Sequence, residues 1–337
     1  MLTFASILFR IATVDKANFK YRYINERKRN QMKEYVIERD ELFKWCSIPV
    51  DQLENHPDSK VKLTIKDTRQ EAMKLAGNMM ADEVIKNNAE GKPTSWVLPS
   101  GPADQFNTFI DRVNKERISL KNLTVFHMDY LLDWNSRVYP LGDYYESAHG
   151  RMLYGFYNKI DPELNVPESQ RIWPRVEDLD EMDRMIEAIG GVDTVWAGVG
   201  YKGLVAFCES PHDPLERVSL EDYENMKTKI VELNYDTTIA TSQRSFGGCY
   251  DRAGHQAVTI GFKSMLSAKR CVAMICTGEW KQTVLRVLMF SEPTLEYPVT
   301  LFPKHIPEVI VLADRFTATH PMSKGKIVLS AENTGKH

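Results

Sequence analysis

Cysteine is scarce in this 337-residue chain, and an excess of charge of either sign is missing. Its five cysteines (Cys46, Cys208, Cys249, Cys271 and Cys276) are odd in number and form no CxxC pair or Cys/His ligand spacing. That argues against a disulfide framework and against a structural zinc site. Lys and Arg total 43 against 46 Asp and Glu, a net charge of −3. The broad basic surface of a nucleic-acid binder is therefore absent, and any charge-dependent function must rest on a few side chains gathered in space. Long apolar runs are also lacking. The opening MLTFASILFRIATVDK is interrupted by Arg10 and has no basic residue before it, and no segment reaches the roughly 20 apolar residues of a membrane span. A cleaved signal peptide is the alternative reading of that run. The chain reads as cytoplasmic, with neither a nucleic-acid nor a membrane partner.

Repeats and low-complexity segments are absent as well, and the 18 glycines and 16 prolines are dispersed without forming a linker. What is present is a 43 % hydrophobic content, enough for a sizeable core. Residues 68–88 place Ala72, Leu75, Ala76, Met79, Val84 and Ile85 at helical spacing. The apolar run 95–98 then enters Pro99-Ser100-Gly101-Pro102, and a second periodic segment carries Phe106, Phe109, Ile110 and Val113. Strand, turn and helix recur. Further strands are expected at 123–128, 194–197, 230–233, 258–260, 271–276 and 309–312, and helices near 144–157, 176–189 and 279–289. This alternation predicts an α/β fold with a mostly parallel sheet covered on both faces. Ligands of such sheets sit at the carboxyl ends of the strands, which confines the search to the loops after Leu98, Met128, Ala197 and Cys276.

Each loop admits a functional and a plain reading. Ser100 and Gly101, between a strand and a helix, can present backbone N–H groups to a phosphate, or form an ordinary tight turn in which Pro102 removes a donor. Asp129, just past a strand, can serve as a general base or cap a turn. Gly198, Gly200 and Gly203 allow close backbone approach, but Glu209, Pro211 and Pro214 break the segment where a dinucleotide fingerprint needs a helix. Lys281, expected in the first turn of a helix, is unfavourable to the helix dipole unless an anion is bound; a solvated lysine is the alternative. The KYRYINERKR stretch mixes acidic residues among its basic ones and reads as a solvated helix face or subunit contact.

Taken together, these segments resemble the glucosamine-6-phosphate deaminase/isomerase family, whose superfamily includes 6-phosphogluconolactonases. The match runs in order from Ala72 to Asp314, about 240 residues. Leu98-Pro99-Ser100-Gly101 is similar to the family's LP[ST]G loop, Phe126-His127-Met128-Asp129 to its F-N-M-D-E-Y segment and Asp143-Tyr144-Tyr145 to S-Y-Y. Gly198 to Glu209 lies over G-x-G-N-D-G-H-I-A-F-N-E-P, and Ser242-Gln243-Arg244 and Gly278-Glu279-Trp280-Lys281 complete the series.

The resemblance implies a Rossmann-like three-layer sandwich: an N-terminal helical extension over 1–65, a deaminase-like domain over 66–317 and a polar tail over 318–337. It implies a phosphosugar substrate held by Ser100, Gly101, Arg244 and Lys281, with Asp129 moving a proton between C1 and C2. It implies no organic cofactor, no metal and a homo-oligomer. The departures matter equally. Leu204 stands where family members carry the ring-opening histidine, a position the lactonases also use, and Lys202 stands where they carry an aspartate, while Glu209 is retained. Lys202 is then expected to stabilise an oxyanion or hold a second acidic group, and Arg244, Lys281 and Lys202 to converge on one crevice. A substrate already in open-chain form is one route to activity without the histidine, and a proton from His127 is another. A catalytically weak phosphosugar-binding protein is the alternative function, with lactone hydrolysis a third reading.

Overall fold

The computed structural model describes residues 36–101, 103–143, 146–211 and 218–324. Among the described residues ten strands form two sheets: β1 (Lys62–Lys66), β2 (Thr94–Leu98), β3 (Leu123–His127), β4 (Asp129–Leu132), β5 (Arg171–Ile172), β6 (Thr194–Gly198), β7 (Lys229–Glu232), β8 (Gln256–Thr259), β9 (Arg270–Ile275) and β10 (Glu308–Asp314). Seven run parallel in the order β1-β10-β9-β6-β2-β3-β5. The other three form an antiparallel sheet, β4-β8-β7.

Alternating residues of the central strands feed two separate cores. Val97, Val195, Ala197, Ala273, Ile275, Val311 and Ala313 belong to one, and Trp96, Leu98, Trp196, Val272, Met274 and Leu312 to the other. A strand buried on both faces must be apolar at nearly every position, which is why these segments read as continuous hydrophobic runs. The expected α/β sandwich is therefore the observed one.

The helix Arg69–Ala89 begins at a reciprocal cap, in which the Thr68 hydroxyl accepts the Glu71 N–H and the Glu71 carboxylate accepts the Thr68 N–H. Its buried face is Ala72, Met73, Ala76, Gly77, Met80, Ala81 and Val84. Ile85, expected on that face, is exposed. Small residues set the rotation, because the helix lies close to its neighbour Asp104–Glu116. A Cβ on Gly77 would stand 2.4 Å from the Gln105 carbonyl oxygen.

The strands expected at 230–233 and 258–260 form, with β4, the antiparallel sheet rather than extending the parallel one. The helices expected at 144–157 and 176–189 are shorter, Ala148–Gly155 and Glu181–Ala188. β1, which straddles the expected 65–66 boundary, is the edge of the main sheet, pairing residue by residue with β10. Before it stand a helix, Arg39–Cys46, and a 3₁₀ turn, Val50–Gln52. The basic stretch 20–29, the apolar opening run, Tyr144, Tyr145 and the tail beyond 324 lie outside the described residues. Among the described residues no helix is long and apolar enough to cross a membrane.

Candidate active site

β2 and β6 lie side by side at the centre of the sheet, and the strand order runs outward from them in opposite directions, β3 and β5 on one side, β9 and β10 on the other. Such a reversal leaves a crevice at the carboxyl ends of the two strands. A cleft of about 660 Å³ occupies it. Pro99, Ser100 and Gly101 enter from the end of β2, Met128 and Asp129 from the end of β3, Gly198 to Tyr201 from the end of β6, and Thr277, Trp280 and Lys281 from the loop after β9. All four loops selected on the sequence thus meet in one place.

Asp129 is not in a loop. Met128 is the corner between the two sheets: its N–H donates to the Leu98 carbonyl at 3.0 Å and its carbonyl accepts from the Ile260 N–H at 2.8 Å. Asp129 then opens β4, opposite Thr259. Two sheets therefore fix the half-buried carboxylate. Burial, only partly offset by the Arg151 guanidinium, pushes its pKa up to about 7. A carboxyl group there exchanges its proton near neutrality, as one acting alternately as base and acid must.

Lys281 is buried at the last position of the 3₁₀ turn Glu279–Lys281, at the entry to the helix Gln282–Phe290. Its ammonium lies 6.0 Å from the centre of the Trp280 ring, and Trp280 stacks on Tyr201 at 5.7 Å between ring centres. Ser100 accepts a hydrogen bond from Arg151 Nη2 at 3.2 Å. Arg151 and Arg69 also line the cleft, and Arg69 reaches Asp104 at 2.8 Å as well. Neither arginine was singled out on the sequence. Arg151 sits within the helix expected near 144–157, where it carried no motif, and Arg69 is the first helical residue after the Thr68 cap.

Of the expected convergence of Arg244, Lys281 and Lys202, Lys281 lines the cleft and the part that falls on Lys202 requires correction. The Lys202 ammonium pairs with Asp236 at 3.1 Å and is half exposed, outside the residues that line the cleft. The tight turn Gly200–Gly203, closed by the Gly203 N–H on the Gly200 carbonyl at 2.9 Å, carries it away. Arg244 falls in the helix Tyr235–Ser245, and its side chain lies outside those described.

Glu209 does not line the cleft either. Its buried carboxylate accepts the Asn234 N–H at 2.6 Å, and its carbonyl accepts the Tyr223 hydroxyl. Asn234 is the residue immediately before the helix Tyr235–Ser245, so the glutamate stands at a helix start, where negative charge is favoured. Thr237, Ala240 and Thr241 of that helix form one side of the cleft; its polar sequence gave no apolar periodicity by which to find it.

Leu204 lines the cleft, as the resemblance places it. Its carbonyl accepts the Gly200 N–H at 2.8 Å, and a Cβ on Gly200 would fall 2.4 Å from Leu204 Cγ. Ala206, also on this wall, has φ +52°, a left-handed conformation that costs a non-glycine residue energy. His127 is fully buried, stacked on Trp173 at 3.7 Å with Nε2 2.9 Å from the Tyr157 hydroxyl. Burial, His149 and Arg171 hold its pKa well below the imidazole range, and its ring packs on Trp173 and Tyr157, outside the residues that line the cleft. Among the described residues no three His, Cys, Asp or Glu side chains gather as a metal would require.

The fold and the cleft define a Rossmann-like α/β protein with one carboxylate among cations at its topological switch. No protein-family model matches the chain. It is similar to the glucosamine-6-phosphate deaminase of Phocaeicola vulgatus, 26 % identical over 264 residues, 76 % of this chain and 93 % of that protein. It is also similar to that of Caenorhabditis elegans, 27 % identical over 231 residues, 67 % and 79 % of the two chains. Among solved structures, a monomeric glucosamine-6-phosphate deaminase superposes with a TM-score of 0.63 at 23 % identity, over 76 % of this chain and 98 % of that one. The 6-phosphogluconolactonase from Trypanosoma brucei does so with a TM-score of 0.52 at 16 % identity, over 77 % and 98 %. The chain is thus similar in sequence to glucosamine-6-phosphate deaminases and shares the fold of these deaminase and 6-phosphogluconolactonase structures.

Proposed function

We propose that this protein is an enzyme acting on a hexosamine 6-phosphate or related phosphosugar by proton transfer between C1 and C2. The observation that carries this reading is Asp129: a carboxyl group with a pKa of about 7 that shares one cleft with Ser100, Gly101 and Lys281. The Ser100–Gly101 loop and Lys281 hold the phosphate, with Arg244 assigned to the same task by the resemblance. Asp129, ionised, removes the proton from the carbon next to the carbonyl; protonated, it returns it to the neighbouring carbon. Arg151 compensates charge that develops beside it. Thr237, Thr241 and Thr277 offer hydroxyls to the sugar.

The second reading, a phosphosugar-binding protein of weak activity, is favoured by Leu204 in the cleft and by Lys202 and Glu209 outside it. Incubation with glucosamine 6-phosphate, with galactosamine 6-phosphate, and with fructose 6-phosphate plus ammonium, following ammonia and ketose, separates the two. The enzyme reading expects turnover that disappears in Asp129→Asn. Thermal stabilisation by the phosphosugars without turnover favours the binding protein, and turnover that survives Asp129→Asn removes the assigned proton shuttle.

A further inference from the structure

Arg69 opens the helix Arg69–Ala89, its backbone fixed by the Thr68–Glu71 cap, and its side chain lines the cleft with Ser100, Gly101, Arg151 and Lys281. Burial and Asp314 push the Cys276 thiol, just past β9, up to about 12, while the charges of Lys281 and Arg69 both oppose that rise. These two cations therefore share the side of the cleft where β9 ends. Arg151 stands on the Asp129 side, donating to the Ser100 hydroxyl at 3.2 Å. Cations thus bracket the Ser100–Gly101 loop. Guanidinium donors matter there, because Pro102, next in the loop, carries no N–H. The Arg69 guanidinium also meets the Asp104 carboxylate at 2.8 Å, both side chains being about half exposed. Asp104 opens the helix Asp104–Glu116 directly after the loop, and contact between the two helices at Gly77 and the Gln105 carbonyl holds the pair in place. The carboxylate and an anion at the loop therefore draw on the same guanidinium.

Building on the proposed phosphosugar function, we propose that Arg69 is a phosphate-binding residue of this cleft and that Asp104 competes with the substrate's phosphate for it. A half-exposed ion pair contributes little to stability, so Arg69 leaves Asp104 at small cost. A phosphate offers the planar guanidinium fork two acceptor oxygens and more charge than a carboxylate, which favours the exchange. Asp104 is then left to solvent. Its effect is to lower the affinity of the cleft for phosphate, and to do so only through Arg69.

The test is calorimetric titration of the full chain with glucosamine 6-phosphate, glucosamine and inorganic phosphate, beside the melting temperature of each variant. Arg69→Met is expected to weaken glucosamine 6-phosphate and inorganic phosphate alike, by about tenfold, with little change in melting temperature. Arg69→Lys, which keeps the charge and loses the fork, is expected to recover part of that affinity. Asp104→Asn is expected to tighten both ligands by about threefold, a gain that vanishes in the Arg69→Met background. Unchanged phosphate affinity in Arg69→Met overturns the inference and leaves the phosphosugar reading standing. Weaker binding in both single variants, following a fall in melting temperature, makes the pair a tie between helices and overturns it as well. A gain from Asp104→Asn that persists without Arg69 overturns the competition. Glucosamine 6-phosphate that binds wild type no better than glucosamine overturns the phosphosugar reading and the inference with it.

Discussion

Glu209 holds the entry of the helix Tyr235–Ser245, its carboxylate accepting the Asn234 N–H at 2.6 Å while Asn234 Nδ2 donates to the Ser210 carbonyl at 3.0 Å. Two segments distant in sequence are thereby tied together, and the threonines at 237 and 241 are set against the cleft. The role we propose for Glu209 is to position this helix rather than to act on substrate. Glu209→Ala should destabilise the protein by about 1.5–3 kcal/mol, the worth of a hydrogen bond to a charged group, and weaken phosphosugar binding with it. Glu209→Gln retains an acceptor and should keep most of the affinity and turnover. Parallel melting and titration experiments decide this: turnover abolished in Glu209→Gln with stability and affinity intact would make the carboxylate a proton donor instead.

Asp129 shows where stability is given up for chemistry. Its folded pKa of about 7 stands above the ordinary 3.8, so the folded chain keeps a proton that the unfolded chain releases. Below the ordinary value both states are protonated and there is no differential effect. As pH rises from about 4 to 7 the native state loses stability, because the buried site must then either hold its proton or accept a charge. Asp129→Asn removes that penalty. Melting temperatures should therefore match wild type near pH 4 and exceed it at pH 8, while turnover falls at least about a hundredfold. A variant less stable than wild type at pH 8 would count against the raised pKa.

Lys202 offers a direct comparison between sequence and structure. The resemblance aligns it with a catalytic aspartate, yet its ammonium reaches Asp236 and not the cleft. A half-exposed ion pair contributes roughly 0–1 kcal/mol. Lys202→Met should accordingly shift the melting temperature little and change kcat/KM by less than about threefold. A hundredfold loss would show that the turn swings inward when substrate binds.

The contrast explains what the sequence made legible. The continuous apolar run of each central strand marked it because both its faces are buried, as Trp96 and Val97 feed opposite cores. It located the four loops because the chain must turn where β2, β3, β6 and β9 end. It did not reveal that Met128 bends the chain from one sheet into another and makes Asp129 part of a strand, since that depends on long-range bonds to Leu98 and Ile260. Nor could it show which cations converge. Arg151 reaches Ser100 across 51 positions, and Lys202, only two residues from the cleft-lining Gly200, points elsewhere because Gly203 closes the turn.

Gly200 and Leu204 form a pair whose coupling can be measured. The glycine leaves the space into which the leucine packs, with Cγ 2.4 Å from where a Cβ would stand and both methyl carbons within 3.1 Å. Gly200→Ala must displace Leu204, and overpacking of this kind costs about 1–3 kcal/mol. In a Leu204→Ala background the added methyl enters the vacated space, so the same substitution should be close to neutral. A double-mutant cycle by chemical denaturation should return a coupling of at least about 1 kcal/mol. Additive effects would mean that the leucine does not fill this corner. That corner lies on the cleft wall, so a large coupling would also show that the shape of the wall depends on the space Gly200 leaves.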